Sequence, residues 1–89
     1  MEKYLVLERE IQVGIQKVYR FENNYGASVI KFPGSYGYEQ GEWELAVIRF
    51  PSDNGEFRID FETPITDDVL GHLSWMEVEE HLKEIKNLG

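Results

Sequence analysis

The chain contains no cysteine. It therefore has no disulfide framework, no thiolate metal site and no cysteine nucleophile. Long apolar runs are missing too. Stretches such as Leu5-Val6-Leu7 and Leu45-Ala46-Val47-Ile48 fall far short of the roughly twenty residues a membrane-spanning helix needs. Met1-Glu2-Lys3 does not begin the basic, apolar, small-residue succession of a secretory signal, so the expectation is a soluble cytoplasmic protein. Positive charge is scarce: nine Lys and Arg stand against seventeen Asp and Glu, a formal charge of −8. Binding to nucleic-acid phosphates needs a basic face, and anionic membranes attract basic segments. Neither partner is expected.

What remains is ordinary for a folded domain. The 89 residues suit one domain, 1–89. The apolar fraction of 42% falls into periodic runs, which disordered chains lack. Charge is uneven, however. Residues 1–38 carry four acids and five bases, whereas residues 39–89 carry thirteen acids and four bases. The acidic second half attracts basic surfaces, including those that normally hold nucleic acid.

Residues 1–15 read weakly. Leu5, Leu7, Ile11, Val13 and Ile15 are apolar at odd positions, which suggests a strand near 4–8, and Gly14 reads as a breaker. A hairpin is clearer: β-forming residues 16–22, the turn Asn23-Asn24-Tyr25-Gly26, and a returning strand at 27–32. Residues 33–41 form a glycine-rich loop with no regular element expected through it. Residues 43–50 give the strongest strand signal and should be central, with a turn at 51–55. In residues 56–61, Phe57, Ile59 and Phe61 alternate with Glu56, Arg58 and Asp60, the pattern of a strand with one wet face. Residues 66–71 resemble a short helical turn, capped by Thr66 or Asp67 and stopped by Gly71. Ser74-x-x-Glu77 is a capping box. From it a helix should run to about Asn87, with Trp75, Val78, Leu82 and Ile85 as one apolar stripe and Gly89 available past its end. The expected fold is α+β: an antiparallel sheet of four or five strands with one C-terminal amphipathic helix packed on one face.

Chemistry-bearing patterns are sparse. His81 lies at the edge of the helix stripe, four residues after Glu77, and reads as a boundary residue before it reads as a metal ligand. His72 follows the turn at 66–71. Asp67-Asp68 near Thr63 and Thr66 is the densest acidic cluster. Its simplest role is capping, although paired carboxylates can also serve acid–base or magnesium chemistry. Gly34, Gly37 and Gly41 do not make a phosphate-binding fingerprint. No hydrolase or kinase motif occurs. No catalytic residues, metal or cofactor are assigned, and the expectation is a non-enzymatic protein.

Tyr25, Tyr36, Tyr38 and Trp43 cluster around the two turns, with Glu39 and Glu42 beside them and Glu44 extending the acidic run. Aromatic residues on glycine-rich loops supply rigid contact area at low entropic cost, as in binding paratopes. They can equally fold over a sheet edge as a core lid. The six residues Tyr25, Tyr36, Tyr38, Glu39, Glu42 and Trp43 are the candidate partner-binding set, the aromatics as anchors and the glutamates as steering charges.

The blocks Asn24-Tyr25-Gly26-Ala27-Ser28-Val29, Gly41-Glu42-Trp43-Glu44-Leu45-Ala46-Val47 and Thr63-Pro64-Ile65-Thr66-Asp67-Asp68-Val69-Leu70-Gly71 resemble successive blocks in a family of small uncharacterised phage and prophage proteins. The resemblance covers roughly residues 17–86. It implies a context, the bacterial host cytoplasm, and transfers no catalytic assignment. The resulting expectation is an acidic accessory protein that binds a host or phage protein with a basic surface. A small-ligand sequestering protein and a metal-dependent hydrolase using Asp67 and Asp68 are the alternatives. The open sheet edges leave homodimerisation undecided.

Overall fold

A computed structural model describes residues 1–11, 13–66 and 68–88. The sheet begins as an antiparallel meander of β1 (Leu5–Ile11), β2 (Gly14–Arg20), β3 (Tyr25–Lys31) and β4 (Trp43–Arg49), in that spatial order. Two short strands then share the far edge of β4. β5 (Arg58–Ile59) pairs with Ile48 and Arg49, and β6 (Leu70–Leu73) pairs with Trp43 and Leu45. The helix α1 (Trp75–Lys86) follows and packs against β3, β4 and β6. The expected α+β architecture is the one found; the sheet has six strands among the described residues, more than the four or five expected, because β5 and β6 share one edge of β4. No helix among the described residues is long and apolar enough to cross a membrane.

Two-residue alternation gives the sheet a helix face and an open face. Tyr19 of β2, Ala27 and Val29 of β3, and Leu45 and Val47 of β4 are buried on the helix face. They meet Val78, Leu82 and Ile85 from the apolar stripe of α1. Burying one such aliphatic side chain contributes roughly 1.5–3 kcal/mol. This contact, more than intrinsic propensity, holds a twelve-residue helix in place. The helix start is fixed locally. Ser74 Oγ accepts the Glu77 N–H at 3.1 Å, and Glu77 Oε1 accepts the Ser74 N–H at 2.9 Å, so the capping box forms as read. On the open face, Val18, Ile48 and Phe50 make a smaller cluster, with Phe57 against Phe50 at 5.6 Å between ring centroids.

Several expectations are corrected. The odd-numbered apolar residues of the N-terminal segment do not share a face. A bulge between Leu5 and Leu7 pairs Leu5 with Tyr19 and Leu7 with Val18, which sends the two leucines to opposite sides of the sheet. Gly14 does not break the element but opens β2, where a Cβ would lie 2.1 Å from that of Phe32. The strand at 56–61 shrinks to Arg58–Ile59, which pairs with the last two residues of β4, while β6 pairs with Trp43 and Leu45 on the same edge and limits the room for a longer strand. The loop at 33–41 does contain a regular element, a 3₁₀ turn at Tyr38–Gln40. The helical turn expected at 66–71 is absent from the described part of that segment. Leu70–Leu73 is a strand with Gly71 inside it, since pairing with β4 and burial of Leu73 outweigh local capping signals. Asp67, proposed as a cap and as half of an acidic pair, lies outside the described residues, as does Gly89.

Candidate functional site

The loop between β3 and β4 is built by short hydrogen bonds. Ser35 fixes its start: the Ser35 N–H and hydroxyl both donate to the Phe32 carbonyl, at 2.9 and 2.8 Å, and Ser35 Oγ accepts the Phe32 N–H at 3.1 Å. Gly37 turns the chain at φ +90°, a conformation that suits glycine because it has no Cβ. Its carbonyl accepts the N–H groups of Gln40 at 3.1 Å and Glu42 at 2.9 Å. Gly41, at φ +74°, closes the 3₁₀ turn.

Strand pairing then brings β6 to the loop. A Cβ on Gly71 would lie 2.5 Å from that of Tyr36, so the tyrosine rests where only glycine leaves room. The Tyr36 N–H donates to Glu44 Oε1 at 3.0 Å, and His72 Nδ1 lies 3.2 Å from Glu42 Oε1. His72 itself has φ +57°, uncommon for a residue with a side chain. Tyr36, fixed by its backbone on both sides, remains 60% exposed. Residues 33–40 and His72 enclose an open cleft of about 460 Å³.

The six candidate residues separate into three places. Tyr36, Tyr38, Glu39 and Glu42 share the loop. Tyr38 is half-buried and also lines a neighbouring hollow with Glu10, Val13 and Lys31. Glu39 is exposed, whereas Glu42 is engaged with His72. Trp43, next in sequence, lies on the helix face: its ring is 5.1 Å from that of Trp75, and Lys31 Nζ sits 5.0 Å from its centroid. Tyr25 pairs with Arg49, about 20 Å along β4 from Trp43 at ~3.3 Å per residue, and packs against the helix-side core. Glu44, read only as part of an acidic run, holds Tyr36. By its alternation with Leu45 it belongs to the open face.

His72 is the residue the sequence reading did not assign to this site. Its contact with Glu42 spans thirty positions, and hydrophobic periodicity carries no signal at that range. His81, the other histidine, meets Glu84 Oε1 at 2.7 Å rather than Glu77. Among the described residues, no three His, Asp or Glu side chains gather into a potential metal site. No protein-family model matches the chain, and no curated protein or solved structure is significantly similar to it.

Proposed function

We propose that this chain is a small, non-enzymatic accessory protein of phage or prophage origin that acts in the bacterial cytoplasm by binding a host or phage protein. The observation that carries the reading is Tyr36: a large aromatic side chain, 60% exposed, on a loop held by Glu44, Ser35, Gly37 and Gly71. Exposing an aromatic ring on a rigid support favours partner contact, because little side-chain entropy is lost on binding. Glu39 stands exposed in the same loop and the whole chain carries −8, which favours a partner with a basic surface.

Capture from a nuclease-treated bacterial lysate, with identification by mass spectrometry, tests the reading. One protein should be retained by the wild-type chain and lost from Tyr36→Ala, with the melting temperature of the variant unchanged. Retention of the same protein by Tyr36→Ala would sink the assignment of the loop. The cleft of about 460 Å³ favours one further reading, sequestration of a small ligand. That reading requires thermal stabilisation by a low-molecular-weight lysate fraction.

A further inference from the structure

The cleft beside the β3–β4 loop is lined by groups that suit one kind of occupant. Residues 33–40 and His72 wall it, and no lysine or arginine is among them. Its aromatic surface comes from Tyr36 and Tyr38, and its carboxylate from Glu39. Between Lys31 and Arg49 the chain has three glutamates and no lysine or arginine. Two of the three are committed: Glu44 accepts the Tyr36 N–H, and Glu42 meets His72. Glu39 is exposed and belongs to no ion pair among the described residues. Lys31 lines the neighbouring hollow, with its Nζ 5.0 Å from the Trp43 ring centroid.

Tyr36 is seated as a platform. A Cβ on Gly71 would lie 2.5 Å from Tyr36 Cβ, 3.2 Å from its Cγ and 3.4 Å from its Cδ2, so the base of the ring rests on the β6 backbone. The side chain is nonetheless exposed, and its free surface lies away from Gly71. An aromatic face attracts a cation through its quadrupole. A carboxylate in the same cleft adds coulombic attraction and a charge-assisted hydrogen bond. The cleft is open rather than an enclosing cage, which favours a guanidinium over an ammonium. The planar guanidinium stacks on a flat ring, forks to a carboxylate and is the more weakly hydrated of the two.

We propose that the cleft receives an arginine side chain of the partner, stacked on Tyr36 and paired with Glu39. This rests on the protein-binding reading above and names the group that the loop recognises.

The test uses the full chain, isotopically labelled, titrated with N-acetyl-arginine amide and followed by amide NMR shifts. The control ligand is N-acetyl-citrulline amide, which keeps the shape and lacks the charge. The arginine ligand should shift the amides of residues 34–40 and His72 saturably, and the citrulline ligand should bind about tenfold more weakly or worse. Glu39→Gln and Tyr36→Leu should each weaken arginine binding about threefold or more. Leucine keeps apolar contact but removes the ring quadrupole, so the loss reports cation recognition rather than contact area. Glu39 is exposed, so Glu39→Gln reports the site even if Tyr36→Leu disturbs the loop.

Equal binding of the citrulline ligand overturns the proposal. So does unchanged affinity in Glu39→Gln, or unsaturated shifts spread over the whole acidic surface. So does the absence of any shift at the loop with about 20 mM ligand, where a Kd of about 1 mM already gives near-saturation. Lysate capture separates the two readings. A partner lost with Tyr36→Ala but retained in full by Tyr36→Leu and Glu39→Gln leaves the protein-binding function standing and removes arginine recognition alone. Retention by all three variants overturns both.

Discussion

Tyr19 illustrates how much a single polar atom can set. Its side chain is fully buried in the helix-side core, and its hydroxyl finds no hydrogen-bond partner among the described residues. Burial, reinforced by the negative charges of Glu2, Glu8 and Glu79, pushes the phenol from its ordinary 10.0 up to about 12. The unfolded chain therefore releases this proton at lower pH than the folded one. The stabilisation is complete below pH 10, and as much as ~2–3 kcal/mol is lost as pH rises towards 12. Tyr19→Phe should abolish that share of the alkaline loss. At neutral pH it should leave the melting temperature unchanged or raise it, since an unpaired buried hydroxyl costs about 1–3 kcal/mol. Denaturant titrations of both proteins at pH 7 and pH 11 check this, and a neutral-pH loss above 1 kcal/mol on the ~1 kcal/mol scale of a net hydrogen bond would mean the hydroxyl is paired. Gly26 sets a different limit. A Cβ there would lie 1.8 Å from the Tyr19 carbonyl oxygen, a backbone atom that cannot move aside without breaking the β2–β3 ladder. Gly26→Ala should cost about 3 kcal/mol, at the upper end of overpacking penalties, measured by the same titrations.

At the scale of elements, α1 is held at both ends by side chains, and only one of these is legible in the sequence. The Ser74–Glu77 box is local, four residues long, and forms as read. Hydrogen bonding by Ser74, its backbone N–H first and its side chain second, holds the Glu77 carboxyl below its ordinary range. This contribution is present above the unfolded pKa and fades as pH falls through the folded one. Ser74→Ala should cost about 1 kcal/mol at neutral pH, and less in acid. The C-terminal end depends on Asn23, which sequence reasoning treats only as a turn former. Its Nδ2 group is shared among the carbonyls of Ile85, Lys86 and Leu88 at 2.8–3.2 Å, while its Oδ1 accepts the Tyr25 N–H at 3.0 Å. The β2–β3 turn thus caps a helix more than sixty residues away. Asn23→Ala should destabilise the fold by about 1–2 kcal/mol and speed amide exchange selectively at Ile85–Leu88. Uniform exchange along α1 would refute the capping role. The same contrast explains the misread strand at Leu70–Leu73: its local residues favour a capped turn, but its partners, Trp43 and Leu45, lie elsewhere in the chain. The hairpin of β2 and β3 is legible because its pairing is local.

At the scale of the whole molecule, the contiguous part of the candidate site is the part the sequence can define. Tyr36, Tyr38, Glu39 and Glu42 fall in one loop because chain connectivity keeps them together. Trp43 and Tyr25 do not join them, since residue parity and the side taken by the helix assign both to packing against α1. The division of labour within the loop has a kinetic consequence. Surface charge acts over roughly 8 Å at physiological salt and mainly alters association, whereas a desolvated aromatic anchor mainly alters dissociation. Glu39 is exposed and the chain carries −8, with the acidic excess in residues 39–89, so raising salt from about 50 to 500 mM should slow association with a captured basic partner by roughly tenfold and leave dissociation nearly constant. Tyr36→Ala should instead speed dissociation about tenfold, with association within about a factor of two. Surface plasmon resonance resolves the two rates. Faster dissociation at high salt, matched by no effect of Tyr36→Ala, would make the acidic surface the whole of the interface and leave the loop without a role in it.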